Sequence, residues 1–217
     1  MNTLQDKTNV GIQGHVLIKD LDTDETLLDR TNAIHLENMA FALASLLANK
    51  PDGTGNRYFI EKMHFGNGGT YINDADGLVT YKTTNTTNTT NTTENNDNTL
   101  YNKTFEKTVD ADPVTVGEGS YMTVDKHAGF NYSDIVVTAT LDYDEPVDQE
   151  LLDSETDMES DYVFDEISLH SQASANAESQ DGMMLTHIIF HPIQKSANRR
   201  LQIIYTIRIR TGSGDEE

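Results

Sequence analysis

The chain has 217 residues, enough for one sizeable hydrophobic core and too few for two comfortable domains. Its 36 Asp and Glu outnumber 15 Lys and Arg, and the formal charge of -21 repels nucleic-acid phosphates and anionic membranes, so neither is an expected partner. Cysteine is absent, which excludes disulfides and thiolate metal sites.

In chain order, Met1 to Val10 carries no apolar signal region, and no stretch approaches the about 18 apolar residues that a membrane span needs, so synthesis in a cytoplasm is expected. The runs His15 to Lys19 and Thr26 to Asp29 flank a short acidic turn, Asp20 to Glu25, which reads as a hairpin. The spacing Asp20, Asp22, Asp24 has the form of a calcium loop, but Glu25 stands where Gly is wanted and Thr31 where Glu is wanted. From His35 to Asn49 the residues Leu36, Met39, Leu43, Leu46 and Leu47 recur at helical steps before Pro51, predicting an amphipathic helix whose stripe faces the core.

Phe59 to Phe65 reads as a strand ending in Gly66-Asn67-Gly68-Gly69-Thr70, a segment that fits no phosphate-binding glycine motif and is expected to be a tight turn with positive φ. Residues 83–98 are almost pure Thr and Asn and predict a mobile surface loop, in which Asn85, Asn88 and Asn91 open formal glycosylation sequons. Six further strands are predicted: Leu100 to Val109, Tyr121 to Asp125, Ile135 to Leu141, Tyr162 to Leu169, Met184 to Phe190 and Leu201 to Ile209. In the last, Leu201, Ile203, Tyr205, Ile207 and Ile209 share one face and Gln202, Thr206, Arg208 and Arg210 the other. The expected fold is a single mainly β domain over 1–217, an antiparallel β-sandwich or jelly-roll-like fold with one amphipathic helix at about 35–49.

Charge is uneven along the chain. No Lys or Arg occurs from His127 to Gln194, while the acidic loop 142–161 and its flank hold eleven acids between Asp142 and Asp165. Three readings of this loop stay open: a solvated loop, a dock for a basic partner, or a calcium site. The candidate subunit-interface residues are Asp142, Asp144, Glu145, Asp157, Glu159 and Asp161 on the acidic side, with Arg199, Arg200, Arg208 and Arg210 on the basic closing segment.

Catalytic chemistry finds little support. His187 and His191 lie four apart in a segment that reads as a strand, where that spacing is about 13 Å, so they are expected as separate polar-face histidines and not as a metal pair. Glu166 is expected as a buried carboxylate with no catalytic partner. No nucleophile elbow, Cys-His pair or zinc-protease motif occurs, and no catalytic, cofactor or metal residues are assigned.

Taken in order, the stretches 38–48, Met63 to Thr70, Leu100 to Phe105, Tyr162 to Leu169 and Asp181 to Leu185, with the closing strand around Tyr205, resemble the phage tail-collar and tail-fibre attachment family and the virion structural proteins of marine contractile-tailed phages. The resemblance covers roughly residues 33–210. Ser168 stands where that family usually has Gly, and Lys103 where it usually has Glu. The resemblance implies a non-enzymatic, oligomeric virion subunit of the tail, baseplate or fibre-attachment region, assembled in the host cytoplasm and partnered by other virion proteins. Two alternatives stay open: a capsid or neck decoration protein, and a soluble carbohydrate- or calcium-binding β-sandwich.

Overall fold

The structure, a computed structural model, describes residues 8–49, 57–86, 99–110, 119–143, 145–146, 162–173 and 181–213. β1 (Thr8–Asp20) and β2 (Thr26–Ile34) form the predicted hairpin, with Ile18 opposite Leu28. Asp20 closes the turn by accepting the backbone N–H groups of Asp22 (2.8 Å) and Thr23 (3.1 Å). β1 begins at Thr8 and not at His15, because its weakly apolar first half is held by an unbroken antiparallel register with β11 (Leu201–Ser213).

Helix α1 (Leu36–Ala48) falls where predicted. His35 caps its start, with Nδ1 accepting from the Asn38 N–H at 3.3 Å, and Asn49 ends it in the left-handed region (φ 49°). The face presented to the core differs from the expected one. Met39 and Ala42 are buried, whereas Leu36 is 71% and Leu47 89% exposed, and Phe41 and Leu46 are also open to solvent. Periodicity shows which residues share a face but not what that face meets. Here the buried Asn38 amide donates to the Met184 carbonyl at 2.8 Å, and of the predicted stripe Met39 and Leu43 pack on the core while Leu36, Leu46 and Leu47 face solvent.

The remaining strands are β3 (Ile60–Gly66), β4 (Thr70–Ile72), β5 (Val79–Tyr81), β6 (Lys103–Thr108), β7 (Tyr121–Lys126), β8 (Tyr132–Leu141), β9 (Tyr162–Ser171) and β10 (Met184–Lys195). Nine strands make one antiparallel sheet in the order β6-β3-β9-β10-β2-β1-β11-β8-β7, and β4 pairs with β5 separately. β2 is the corner: Thr26 to Asn32 pair with β1, then Ala33 and Ile34 pair with β10. The sheet curls about this strand into a sandwich-like form. Val16, Ile18, Val137, Ile203 and Tyr205 from one half share a core with Phe65, Phe164, Ile167 and Phe190 from the other. Each such fully buried apolar side chain contributes about 1.5–3 kcal/mol. β11 alternates as predicted, with Leu201, Ile203, Tyr205 and Ile207 fully buried.

β9 and β10 are irregular where they matter most. Ile189 pairs with Glu166 and Ile193 with Phe164, so three residues of β10, Phe190, His191 and Pro192, stand against the single Asp165 of β9 in a bulge. Phe164 and Ile167 both reach the core despite their odd spacing, because the strand changes phase at Asp165 and Glu166. Those two carboxylates are thereby aimed at the same turn.

Candidate functional site

On the face of the β6-β3-β9-β10 half opposite the aromatic core, the registers align Glu106, His64, Ser168 and His187 in one row across four strands. Strand alternation sends Met63, Phe65, Ile167 and Leu169 inward and leaves Lys62, His64, Ser168 and His170 on this outer layer. The layer is nevertheless covered: His64, Glu166, Ser168, His170 and His187 are all 1% exposed or less. Backbone from the Gly66 to Thr70 turn, Asn85, Tyr101, Asn102 and Gly182 closes over it through hydrogen bonds.

Glu166 is the centre of this layer. Its carboxylate accepts backbone N–H groups from Gly68 (3.1 Å), Tyr101 (3.1 Å) and Asn102 (2.9 Å), and the His187 Nε2–H at 3.1 Å. The Asn85 N–H donates to His187 Nδ1 at 2.8 Å, which fixes the tautomer with its proton on Nε2. Burial alone would raise the Glu166 carboxyl, but the His187 bond and the Asn102 and Tyr101 N–H groups outweigh it and hold the group below its ordinary range. Asp165 completes the cradle, accepting from the Gly69 N–H (2.9 Å), the Thr70 N–H (2.7 Å) and the Thr70 hydroxyl. His187 is thus no polar-face histidine, and Glu166 has a partner, correcting both expectations. The ring is enclosed because Asn85 and Tyr101 close over it, His187 itself standing in regular register with Ser168 ahead of the bulge. His191 remains on the surface, 3.3 Å from the Tyr81 hydroxyl.

The glycine turn is also corrected. Gly66, Gly68 and Gly69 are not among the positive-φ residues. They are required by close approach, since a Cβ on Gly66 would lie 2.5 Å from the Asn102 carbonyl oxygen and 2.6 Å from Glu166 Oε1. The segment is a cradle for the protein's own carboxylates. Positive φ is found instead at Gly182 (69°), where a Cβ would also strike the Ser171 carbonyl.

A second cluster lies beside the first. The His64 and His170 rings stack 3.8 Å apart, and His170 Nε2 meets the Ser168 hydroxyl at 2.8 Å. Burial lowers both imidazoles, His170 to about 4, and the neighbouring His170, Lys103 and Lys62 depress His64 further. Glu106 takes Lys62 (2.7 Å) and Lys103 (2.6 Å), and Lys103 also binds Asp181. Neither histidine site has the form of a nucleophilic centre. Ser168 and His170 are sealed from solvent, and both nitrogens of His187 are already engaged.

Most of the described interface candidates are engaged within the chain. Arg199 binds Asp20 and Arg200 binds Asp22, clamping the β10–β11 turn onto the β1–β2 turn, so two of the three aspartates with calcium-loop spacing face arginines. Glu145 binds Lys107, and Asp142 accepts the Tyr143 N–H at 2.8 Å. Arg208 grips Asp134 with two bonds of 2.8 and 2.7 Å, and Arg210 lies over the Tyr132 ring at 5.9 Å. Asp144, Asp157, Glu159 and Asp161 lie outside the described residues, as does most of the acidic loop 142–161 and of the Asn/Thr run 83–98.

The Arg208 bonds, followed by the His127 contact, hold the Asp134 carboxyl below its ordinary 3.8 against the raising effect of burial. A depressed native pKa adds stability above 3.8 that is lost as pH falls through that value towards the native one. Arg208→Ala is therefore expected to be less stable than the native chain at pH 7, with the gap closing below pH 3.8, as read by thermal melts across pH.

A groove of about 560 Å³ runs along β1, β2 and β11 between Gln13, His15, Asn32 and Arg208, and among the described residues no Phe, Tyr or Trp lines it. No protein-family model, curated protein or solved structure matches this chain. The site is therefore read from its own geometry. No helix among the described residues is long and apolar enough to cross a membrane.

Proposed function

We propose that this chain is a non-enzymatic structural subunit of a tailed-phage virion, working in the tail, baseplate or fibre-attachment region by packing against other subunits. The observation that carries the reading is helix α1, whose Leu36, Phe41, Leu46 and Leu47 side chains stand in solvent on a chain of charge -21. Large apolar side chains left exposed around the helix of so acidic a molecule are surface that another subunit can cover. The virion assignment rests on the ordered resemblance, and it is supported by how those motifs meet. The Gly66 to Thr70 turn, Asn102, Glu166 and Asp181 to Met184 come from distant parts of the sequence, yet Glu166 binds the first two and Lys103 and Asn38 bind the last.

Mass spectrometry of purified particles and light scattering of the isolated chain test this. The chain is expected in the particle, and it is expected to be oligomeric or to co-assemble with a virion protein. Leu47→Glu is expected to abolish that assembly while leaving the melting temperature nearly unchanged, because an exposed substitution typically shifts stability by no more than about 0.5 kcal/mol. A monomer that binds glycans and is missing from particles would mean the reading is wrong. A capsid or neck decoration protein would pass these tests but map to the head in a reconstruction of the particle.

A further inference from the structure

We propose that His64, Glu106 and Asp181 form a binding site for a divalent transition-metal ion of the zinc type, a site independent of the virion reading. Their ligand atoms lie within 4.8 Å of one another. His64 Nε2 and Glu106 Oε2 are 3.5 Å apart, close to the about 3.3–3.5 Å edge of a tetrahedron with metal–ligand bonds of about 2.0–2.2 Å. The independent sign of a ligand is the imidazole itself. His64 is 1% exposed, its ring is held by stacking on His170, and Nε2 is a buried nitrogen with no hydrogen-bond partner, facing Glu106. Buried polar atoms without a partner are rare and costly, and a metal bond would satisfy this one.

The position already attracts positive charge. Lys103 bridges Glu106 and Asp181, and Lys62 reaches Glu106 from the other side. An ammonium satisfies the two carboxylates and leaves the imidazole nitrogen unused, whereas zinc, cobalt or nickel takes all three. The Lys103 side chain is 28% exposed and has room to swing into solvent when displaced. One nitrogen and two oxygens with a fourth position for water suit such an ion and do not suit calcium or magnesium, which take oxygen ligands.

The test uses the untagged full chain, dialysed against EDTA and then titrated with ZnCl2, CaCl2 or MgCl2 by calorimetry and thermal melting. Zinc is expected to bind at one equivalent and raise the melting temperature, with calcium and magnesium inert. Lys103→Met is expected to tighten zinc binding on the order of tenfold, the scale of removing one unit charge beside the ion. Asp181→Asn, on a half-exposed turn, is expected to fold normally and to lose the zinc effect. Cobalt should give a visible spectrum that His64→Gln abolishes. The proposal is overturned if zinc leaves the native chain unchanged, even where it binds Lys103→Met, because Lys103 is then the resident cation. It is equally overturned if Asp181→Asn retains full zinc affinity, because the ion then sits on surface histidines such as His15, His127 or His191.

Discussion

Glu166→Ala is expected to cost about 3–5 kcal/mol of stability, the range for removing one member of a buried charged hydrogen-bonded group. The variant would leave the N–H groups of Gly68, Tyr101 and Asn102 and the His187 Nε2–H facing an empty space sealed from water. Each abandoned donor carries its own desolvation cost, so the loss exceeds that of a single bond. Glu166→Gln keeps one carbonyl acceptor but turns an amide N–H2 towards donors, and should fall between alanine and the native chain. Urea titration monitored by circular dichroism measures both. A Glu166→Ala midpoint within error of the native one would mean that the cradle is held by Asp165 and the sheet alone.

Phe164→Ala is expected to cost a similar about 3–5 kcal/mol through a different mechanism, the cavity left by a buried ring. Phe164 is fully buried and central: its ring centroid lies 5.6 Å from each of Phe65, Phe190 and Tyr162, edge-on to the first two and stacked on the third. Those rings come from three other positions in the curled half-sheet, so no single neighbour can move in to fill the space. At about 2–4 °C per kcal/mol for a chain of this size, the melting temperature should fall by roughly 6–20 °C. Phe164→Leu should recover more than half of the loss. Equal melting temperatures for Phe164→Ala and the native chain would show that the two half-sheets do not pack through this ring.

The fold was legible wherever a strand has one wet and one dry face. β11 is the clearest case, because Leu201, Ile203, Tyr205 and Ile207 are buried while Gln202, Thr206 and Arg208 lie between them, with Ile204 the one apolar exception. β4 and β5 were missed because three residues each are too few to show a period. The polar layer was illegible for a physical reason. In β9 both faces are buried, so Glu166, Ser168 and His170 look like the solvent face of an alternating strand until the covering turns are in place. His187 was misread on the same grounds: it pairs regularly with Ser168, and the residues that enclose its ring, Asn85 and Tyr101, lie far away in the sequence. For the helix, the three-and-four spacing of Leu36, Met39, Leu43, Leu46 and Leu47 gave the element correctly. It carried no information that Asn38 would be buried beside Met39 and Ala42 and bonded to the Met184 carbonyl while Leu36 and Leu47 stay outside.

The Asn/Thr run leaves and re-enters the described fold through one gate. Asn85 donates to His187 and, through its side chain, to the Thr99 carbonyl at 3.1 Å, while the Tyr101 hydroxyl donates to the Thr83 carbonyl at 2.7 Å. The buried carboxylate is a socket as much as a brace. Through His187 it ties Asn85, and through its own oxygens Tyr101 and Asn102, to the centre of β9, so two chain segments that are far apart in sequence hang on one side chain.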